Sequence, residues 1–154
     1  MHVSVVLCTY AEEMYEHFSE AADSVLSQTY GSVELVVIVD GKKSVYDRAV
    51  ADYGTRDDVV IQYNEVNVGL LESRNRGADV ANGDVVAFID DDAVADERWI
   101  EKLVRAYKDE EAIAVGGKMT PMWIAGKPSF LPDEFYWLVG VTHRGFADGP
   151  GEVR

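Results

Sequence analysis

Cysteine is almost absent from this chain, and lysine is scarce. A single Cys8 excludes an internal disulfide and a cysteine-built zinc cluster. At the end of an apolar run it reads as a small buried hydrophobe rather than a reactive thiol. The three histidines, His2, His17 and His143, stand at no metal-ligand spacing and read as structural or surface residues. No apolar run approaches the ~20 residues needed to span a bilayer. No basic, apolar, small-residue leader opens the chain, so a cytoplasmic location is expected. Basic side chains number 14 against 28 acidic ones, a net charge of −14, and only six are Lys. Such a surface repels nucleic-acid phosphate, and no nucleic-acid partner is expected. An acidic, Lys-poor composition favours a protein adapted to high salt, where screening removes the self-repulsion, over an ordinary low-pI domain.

What is present is sufficient for a folded core. At 154 residues, 47% apolar and 27% charged, the composition is that of a globular domain able to bury a sizeable interior. Short β-rich runs alternate with helical stretches. Strands are expected at Val3–Cys8, Val33–Val39, Val59–Tyr63, Val85–Ile89 and Ala112–Val115. Helices are expected at Met14–Ser27, Val45–Tyr53, Leu70–Ala81 and Arg98–Lys108. Apolar runs without polar alternation belong to strands covered on both faces. Repeated strand–helix–strand units then give an α/β fold with a mainly parallel sheet and right-handed crossovers. After Gly117 the alternation is lost. The aromatic stretch Trp123–Trp137 reads as core packed under the sheet, or else as a surface for a lipid-linked acceptor or a membrane interface. The Gly-rich stretch 145–154 carries no clear element.

The fourth strand ends in Asp90-Asp91-Asp92. Fifteen Asp in 154 residues make a triplet expected by chance in roughly one such chain in seven, so its position must decide. Like charges held together resist ionisation unless a cation sits among them. Hard divalent ions take oxygen ligands, usually one or two carboxylates plus phosphate oxygens. In a parallel sheet ligands bind at the carboxyl ends of the strands. Cys8-Thr9-Tyr10, Asp40-Gly41 and Asp90–Asp92 all fall there, which points to a metal–diphosphate site. Arg74 suits a phosphate or the acidic loop. Asp84, after Gly83, reads as a turn residue that caps backbone N–H groups.

Taken in order, Val3 to Tyr10, Ser24-Val25-Leu26-Ser27-Gln28-Thr29-Tyr30, Val36 to Gly41, Asn67-Val68-Gly69, Ser73-Arg74-Asn75-Arg76-Gly77, Ala81-Asn82-Gly83-Asp84 and Asp90-Asp91-Asp92 resemble the family 2 glycosyltransferases. The likeness covers about residues 3–120. Ala11, Val39 and Lys42-Lys43 differ from the family's usual residues. The resemblance implies the GT-A fold, a Rossmann-like, mainly parallel sheet flanked by helices. Residues 1–120 would form the donor part and 121–154 the start of an acceptor-side region. It implies metal-dependent, inverting transfer from a nucleotide sugar, most simply a UDP-sugar, to an acceptor hydroxyl. Mn²⁺ or Mg²⁺ would be held by Asp92 with Asp90. The donor would be bound by Thr9, Tyr10, Glu12, Asp40, Asn67, Gly69, Arg74, Asp90 and Asp91, with Asp40 accepting from the uracil imide N–H.

Phe130 to Trp137 is similar to a region of haloarchaeal members acting on dolichyl-phosphate-linked glycans. A lipid-linked or glycan acceptor and peripheral association with the cytoplasmic face of a membrane are therefore expected. The catalytic base is expected beyond Arg154, since nothing in the context of Asp133, Glu134 or Asp148 supports them. A receiver-like signalling module or a non-catalytic nucleotide-binding domain is the competing class. A receiver would need acids after its first strand, where this chain has Cys8-Thr9.

Overall fold

The computed structural model describes residues 1–109 and 112–142. Four strands form, β1 (Val3–Thr9), β2 (Val33–Asp40), β3 (Val59–Asn64) and β4 (Val85–Ile89). Four helices accompany them, α1 (Tyr15–Leu26), α2 (Lys43–Tyr53), α3 (Leu70–Val80) and α4 (Trp99–Asp109). The chain divides into two compact units, 1–101 and 102–154.

In the first unit every strand pair is parallel and the spatial order is β3-β2-β1-β4. Val3 lies beside Val33 on one side and Val85 on the other. The two central strands are the longest apolar runs and the most buried elements; Val5, Leu7 and Leu35 to Val39 are inaccessible. β3 and β4 are the edges and are only partly covered, with Phe88 45% exposed.

Chain direction explains the layers. The steps β1-α1-β2 and β2-α2-β3 run the same way across the sheet, so right-handed crossovers place α1 and α2 on one face. There Phe18 of α1 meets Tyr53 of α2 edge-on, with ring centroids 6.0 Å apart. The step β3-α3-β4 reverses, and α3 lies on the other face. Val80 and Ala81 pack there against Val6, Val36 and Ile38. Gly77 lets α3 approach closely, since a Cβ at that position would sit 2.4 Å from Val6 Cγ1.

At the amino edge of the sheet, buried Glu34 accepts from Ser4 Oγ at 2.6 Å, from Asn82 N at 2.9 Å and from Asn82 Nδ2 at 2.8 Å. Burial alone would raise the Glu34 pKa, but these donors hold it below the usual carboxylate range. Asp84 caps a backbone N–H as expected, but a distant one: it accepts from His2 N at 2.8 Å.

Two expectations fail. The run Ala112–Val115 is not a strand; the sheet of the described residues has four, and Ile113 is fully exposed. A four-residue apolar run is too short to specify a strand without a ladder partner. The aromatic stretch is not core either: Phe130 is 83% exposed, and Phe135 and Trp137 are each about half exposed. Pro121, Pro128 and Pro132 interrupt any regular element that could align one apolar face. Within it a 3₁₀ turn covers Asp133–Val139, and Trp123 meets Tyr136 edge-on at 5.4 Å. Asp148, the 145–154 stretch and His143 lie outside the described residues.

Candidate nucleotide site at the carboxyl edge

The strand order reverses between β1 and β4, so the carboxyl ends of these two strands diverge into a crevice. A cleft of about 510 Å³ opens there, within the size range of small-ligand sites. From β1 it is lined by Cys8, Thr9 and Tyr10, and from β2 by Asp40. The loop into α3 contributes Asn67 and Gly69, α3 itself Leu70 and Ser73, and the end of β4 Asp90, Asp91 and Asp92.

The acidic loop is held from two sides. Arg74 on α3 donates to Asp90 Oδ1, so the guanidinium steadies the acidic loop. From behind, the end of α1 clamps the segment that follows. Gln28 Nε2 donates to Asp96 O at 2.8 Å, while Gln28 Oε1 accepts from Ile100 N at 2.9 Å and so caps the start of α4. Ser24 Oγ accepts from Ala95 N at 3.0 Å. Thr29 N donates to Glu97 O at 2.9 Å. This explains the Ser24–Tyr30 motif: its polar side chains aim the acids rather than touch a ligand.

Within the triplet the three acids differ. Asp90 and Asp92 face solvent, whereas Asp91 is only partly accessible. Burial pushes the Asp91 pKa up; the Thr9 hydroxyl works against this, and the charges of Asp92 and Asp90 add to the rise. Asp91 Oδ2 and Thr9 Oγ1 are buried, and neither makes a hydrogen bond of ordinary geometry. Cys8 borders the cleft, but burial pushes its thiol up to about 11, with Arg74 opposing and Asp40, Asp91 and Asp90 reinforcing. It is a protonated wall residue and not a nucleophile.

Eight of the expected site residues line this one cleft: Thr9, Tyr10, Asp40, Asn67, Gly69, Asp90, Asp91 and Asp92. Arg74 stands behind it on Asp90. Glu12 does not join the lining; it accepts from Ser44 Oγ and lies 4.0 Å from Lys42. Sequence reasoning assigned no site role to Leu70 or Ser73. The signal was available in Ser73, a small polar residue one helical turn after Gly69, on the side of α3 facing the strand ends.

Among the described residues no three His, Cys, Asp or Glu side chains converge as a metal cage. The donors present are hard carboxylate oxygens, and one, Asp91 Oδ2, is buried without a partner. This set fits a divalent cation that takes one or two carboxylates and completes its shell with a ligand's phosphates.

Residues 4–126 match the model of Glycosyl transferase family 2. The chain is 54% identical over its whole length to a glucosyl-dolichyl phosphate glucuronosyltransferase of Haloferax volcanii, of which it covers 50%. It is 32% identical over 116 residues to an uncharacterized glycosyltransferase of Haemophilus influenzae, covering 75% of this chain and 35% of that protein. It therefore spans about half or less of the length of these curated relatives. Among solved structures it resembles S. aureus TarS 1-349 with a TM-score of 0.71 at 21% identity, over 88% of this chain and 40% of that one. The UDP-GlcNAc complex of the same protein gives 0.64 at 20% identity, over 82% and 39%.

Proposed function

The chain belongs to glycosyl transferase family 2, and from that premise we propose that its β1/β4 cleft binds a UDP-sugar and that the protein transfers the sugar, with inversion, to a lipid-linked acceptor. The observation that carries the reading is the meeting of three carboxylates with the first turn of α3 across one cleft. The helix start presents backbone N–H groups and the positive end of its dipole, which favour phosphate. The acids would repel a diphosphate directly and therefore require a cation between them. Two facts support the donor and acceptor classes. The TarS structures include complexes with UDP and UDP-GlcNAc. The 54% identical relative is named for a glucosyl-dolichyl phosphate acceptor.

Asp92, with Asp90, would hold Mn²⁺ or Mg²⁺. When bound, the cation neutralises the charge that accumulates on the leaving diphosphate. The chain's own residues do the rest. Arg74 keeps Asp90 in place. Asp90 and Asp91 would orient ribose hydroxyls, and Tyr10, 59% exposed at the rim, would offer an aromatic face to the base. Transfer also needs a base to take the acceptor's proton. The two acids of the 3₁₀ turn are poor candidates: Asp133 is paired with Lys127, and Glu134 is an exposed residue. No helix of the described residues is long and apolar enough to cross a membrane. The exposed Met122, Ile124, Phe130 and Trp137 would suit contact with a lipid-linked acceptor at the cytoplasmic face of a membrane.

Thermal stabilisation by UDP tests the reading. With Mn²⁺ the rise in Tm should be far larger than with EDTA. Asp92→Asn should lose most of that difference, while Lys108→Gln on α4 should keep it. Equal, metal-independent stabilisation of wild type and Asp92→Asn would remove Asp92 from the metal site.

A further inference from the structure

Asn64 ends β3 beside Asp40, its partner in the parallel register. Both side chains leave the face of the sheet that carries α3. Asn64 is 3% exposed and stands behind the cleft, whereas Asp40, 6% exposed, borders it. A buried amide must find partners for both its ends, and here each end has a different kind. Nδ2 donates to Asp40 Oδ1 at 3.0 Å and to Ser73 Oγ at 3.1 Å. Oδ1 accepts from Arg76 Nη1 at 2.9 Å, and Arg76 Nε donates in turn to Glu72 at 3.0 Å. A guanidinium only donates and a carboxylate only accepts. The amide therefore has one workable orientation, oxygen to Arg76 and nitrogen to Asp40. Turned over, it would set donor against donor on one side and acceptor against acceptor on the other.

The Asp40 carboxylate is thus gripped from a strand as well as from a loop. Val68 N is shared between its two oxygens at 3.0 and 3.2 Å, and Gly69 N donates to Oδ2 at 2.9 Å. An ionised carboxylate has about four acceptor positions, so these three N–H groups leave one open. Its direction depends on the plane of the carboxylate. The two backbone donors belong to the loop that lines the cleft and would follow any movement of that loop. Asn64 belongs to the sheet and ties the plane to it.

We propose that Asn64 is a positioning residue: it fixes the Asp40 carboxylate so that the open acceptor position faces the cleft and takes the N–H of the nucleotide base. This rests on the UDP-sugar reading of the cleft, with Asp40 at the uracil. Side chains of similar size would not serve. Asn64→Asp would set a second carboxylate against Asp40, and Asn64→Leu would leave Asp40 and Arg76 each short of a partner. Arg76, 38% exposed, acts one step further out, by holding the amide the right way round.

Uracil presents an N–H at the ring position where cytosine presents an acceptor, so the ratio of UDP to CDP affinity reads the hydrogen bond to Asp40. Both nucleotides are titrated calorimetrically with Mn²⁺ into the 154-residue chain, below the melting temperature of each variant. Wild type should prefer UDP, and Asp40→Asn should lose that preference. Asn64→Ala should lose about tenfold in UDP affinity, the worth of one hydrogen bond to a charged group, while CDP affinity stays within about twofold. A parallel loss for both nucleotides would reduce Asn64 to a support of the fold, and no loss would remove it from the site; either result overturns the proposal. If Asn64→Ala does not fold, Arg76→Met decides. It frees the amide to turn and should lower the UDP:CDP ratio by about threefold; an unchanged ratio overturns the proposal. Failure of the underlying reading gives a different pattern. A wild type that binds neither nucleotide or does not prefer UDP, or a preference that survives Asp40→Asn, would take the base away from Asp40 and the role of Asn64 with it.

Discussion

Asp91 shows how far one acid of a triplet can depart from its neighbours. Asp90 is tied to an arginine and Asp92 faces solvent, but Asp91 has a buried oxygen without a partner. Its pKa is raised, first by burial. The sign of the stability effect follows by linkage. A carboxyl whose folded pKa lies above its unfolded value of about 3.9 binds its proton more tightly in the native state. Its contribution is therefore neutral below about pH 4 and becomes unfavourable as pH rises through the folded value. Asp91→Asn should raise the Tm of the ligand-free protein at pH 7, by ~1–3 °C for a domain of this size. The gap should narrow steadily as pH is lowered towards 4. A lower Tm for the variant at pH 7, or a gap indifferent to pH, would show that Asp91 is not strained by burial. Glu34 and Asp40 act in the opposite sense. Burial raises each, but their hydrogen bonds prevail and hold both below the ordinary range, so the stability they add is present above pH ~4 and lost as pH falls below it.

At the scale of elements, α3 is the member that brings the site together. Its first turn faces the cleft, Ser73 and Arg74 reach Asn64 and Asp90, and Gly77 sits on β1. Glycine in mid-helix is intrinsically worse than alanine by ~1 kcal/mol. Propensity alone would thus make Gly77→Ala stabilising. Packing decides otherwise, because the new methyl would meet Val6 Cγ1 at 2.4 Å and Ile38 Cγ1 at 3.2 Å. Relieving that overlap costs about 1–3 kcal/mol and pushes α3 away from the sheet. Chemical denaturation should show Gly77→Ala less stable than wild type, and UDP affinity should fall as the first turn of α3 shifts. A variant as stable as wild type would mean that the helix and β1 yield more easily than their close approach implies. This part of the site was legible only in outline. The order of strands and helices follows from apolar period, and observed ends differ from expected ones by one or two residues. The clamp of Gln28 on Asp96 and Ile100, by contrast, joins residues about 70 apart in sequence, and no local pattern announces it.

For the whole molecule the dominant physical fact is the charge of −14. Its ion pairs are mostly solvent-exposed; Arg48–Glu16 and Arg105–Asp109 are examples. Such pairs contribute little and are screened by salt. Self-repulsion among the surplus acids is screened as well, and with acids outnumbering basic groups 28 to 14 the relief outweighs the loss. The Tm of the ligand-free protein should therefore rise from low to molar KCl, most steeply below about 0.5 M, where the Debye length is still several ångströms. A flat or falling Tm across that series would leave an ordinary acidic domain and exclude salt adaptation.

The sequence by itself determined the fold class, the family and the edge of the sheet where chemistry belongs. Those rest on local signals. Unalternating apolar runs at Val3–Cys8 and Val33–Val39 specify strands buried on both faces, and a parallel sheet gathers its strand ends on one side. It could not determine what each polar side chain at that edge does, because this depends on which donors the folded chain brings within 3 Å. Asp40 read from sequence is an acid at a strand end; in the fold, Val68, Gly69 and Asn64 donate to its oxygens. Glu12 stood beside the first strand's turn, yet its partners are Ser44 and Lys42 outside the cleft. The aromatic stretch 123–137 carried the composition of a core, and only tertiary structure showed Phe130, Phe135 and Trp137 exposed. Composition counts apolar side chains, whereas burial requires them to share a face, and Pro128 and Pro132 within the stretch work against it.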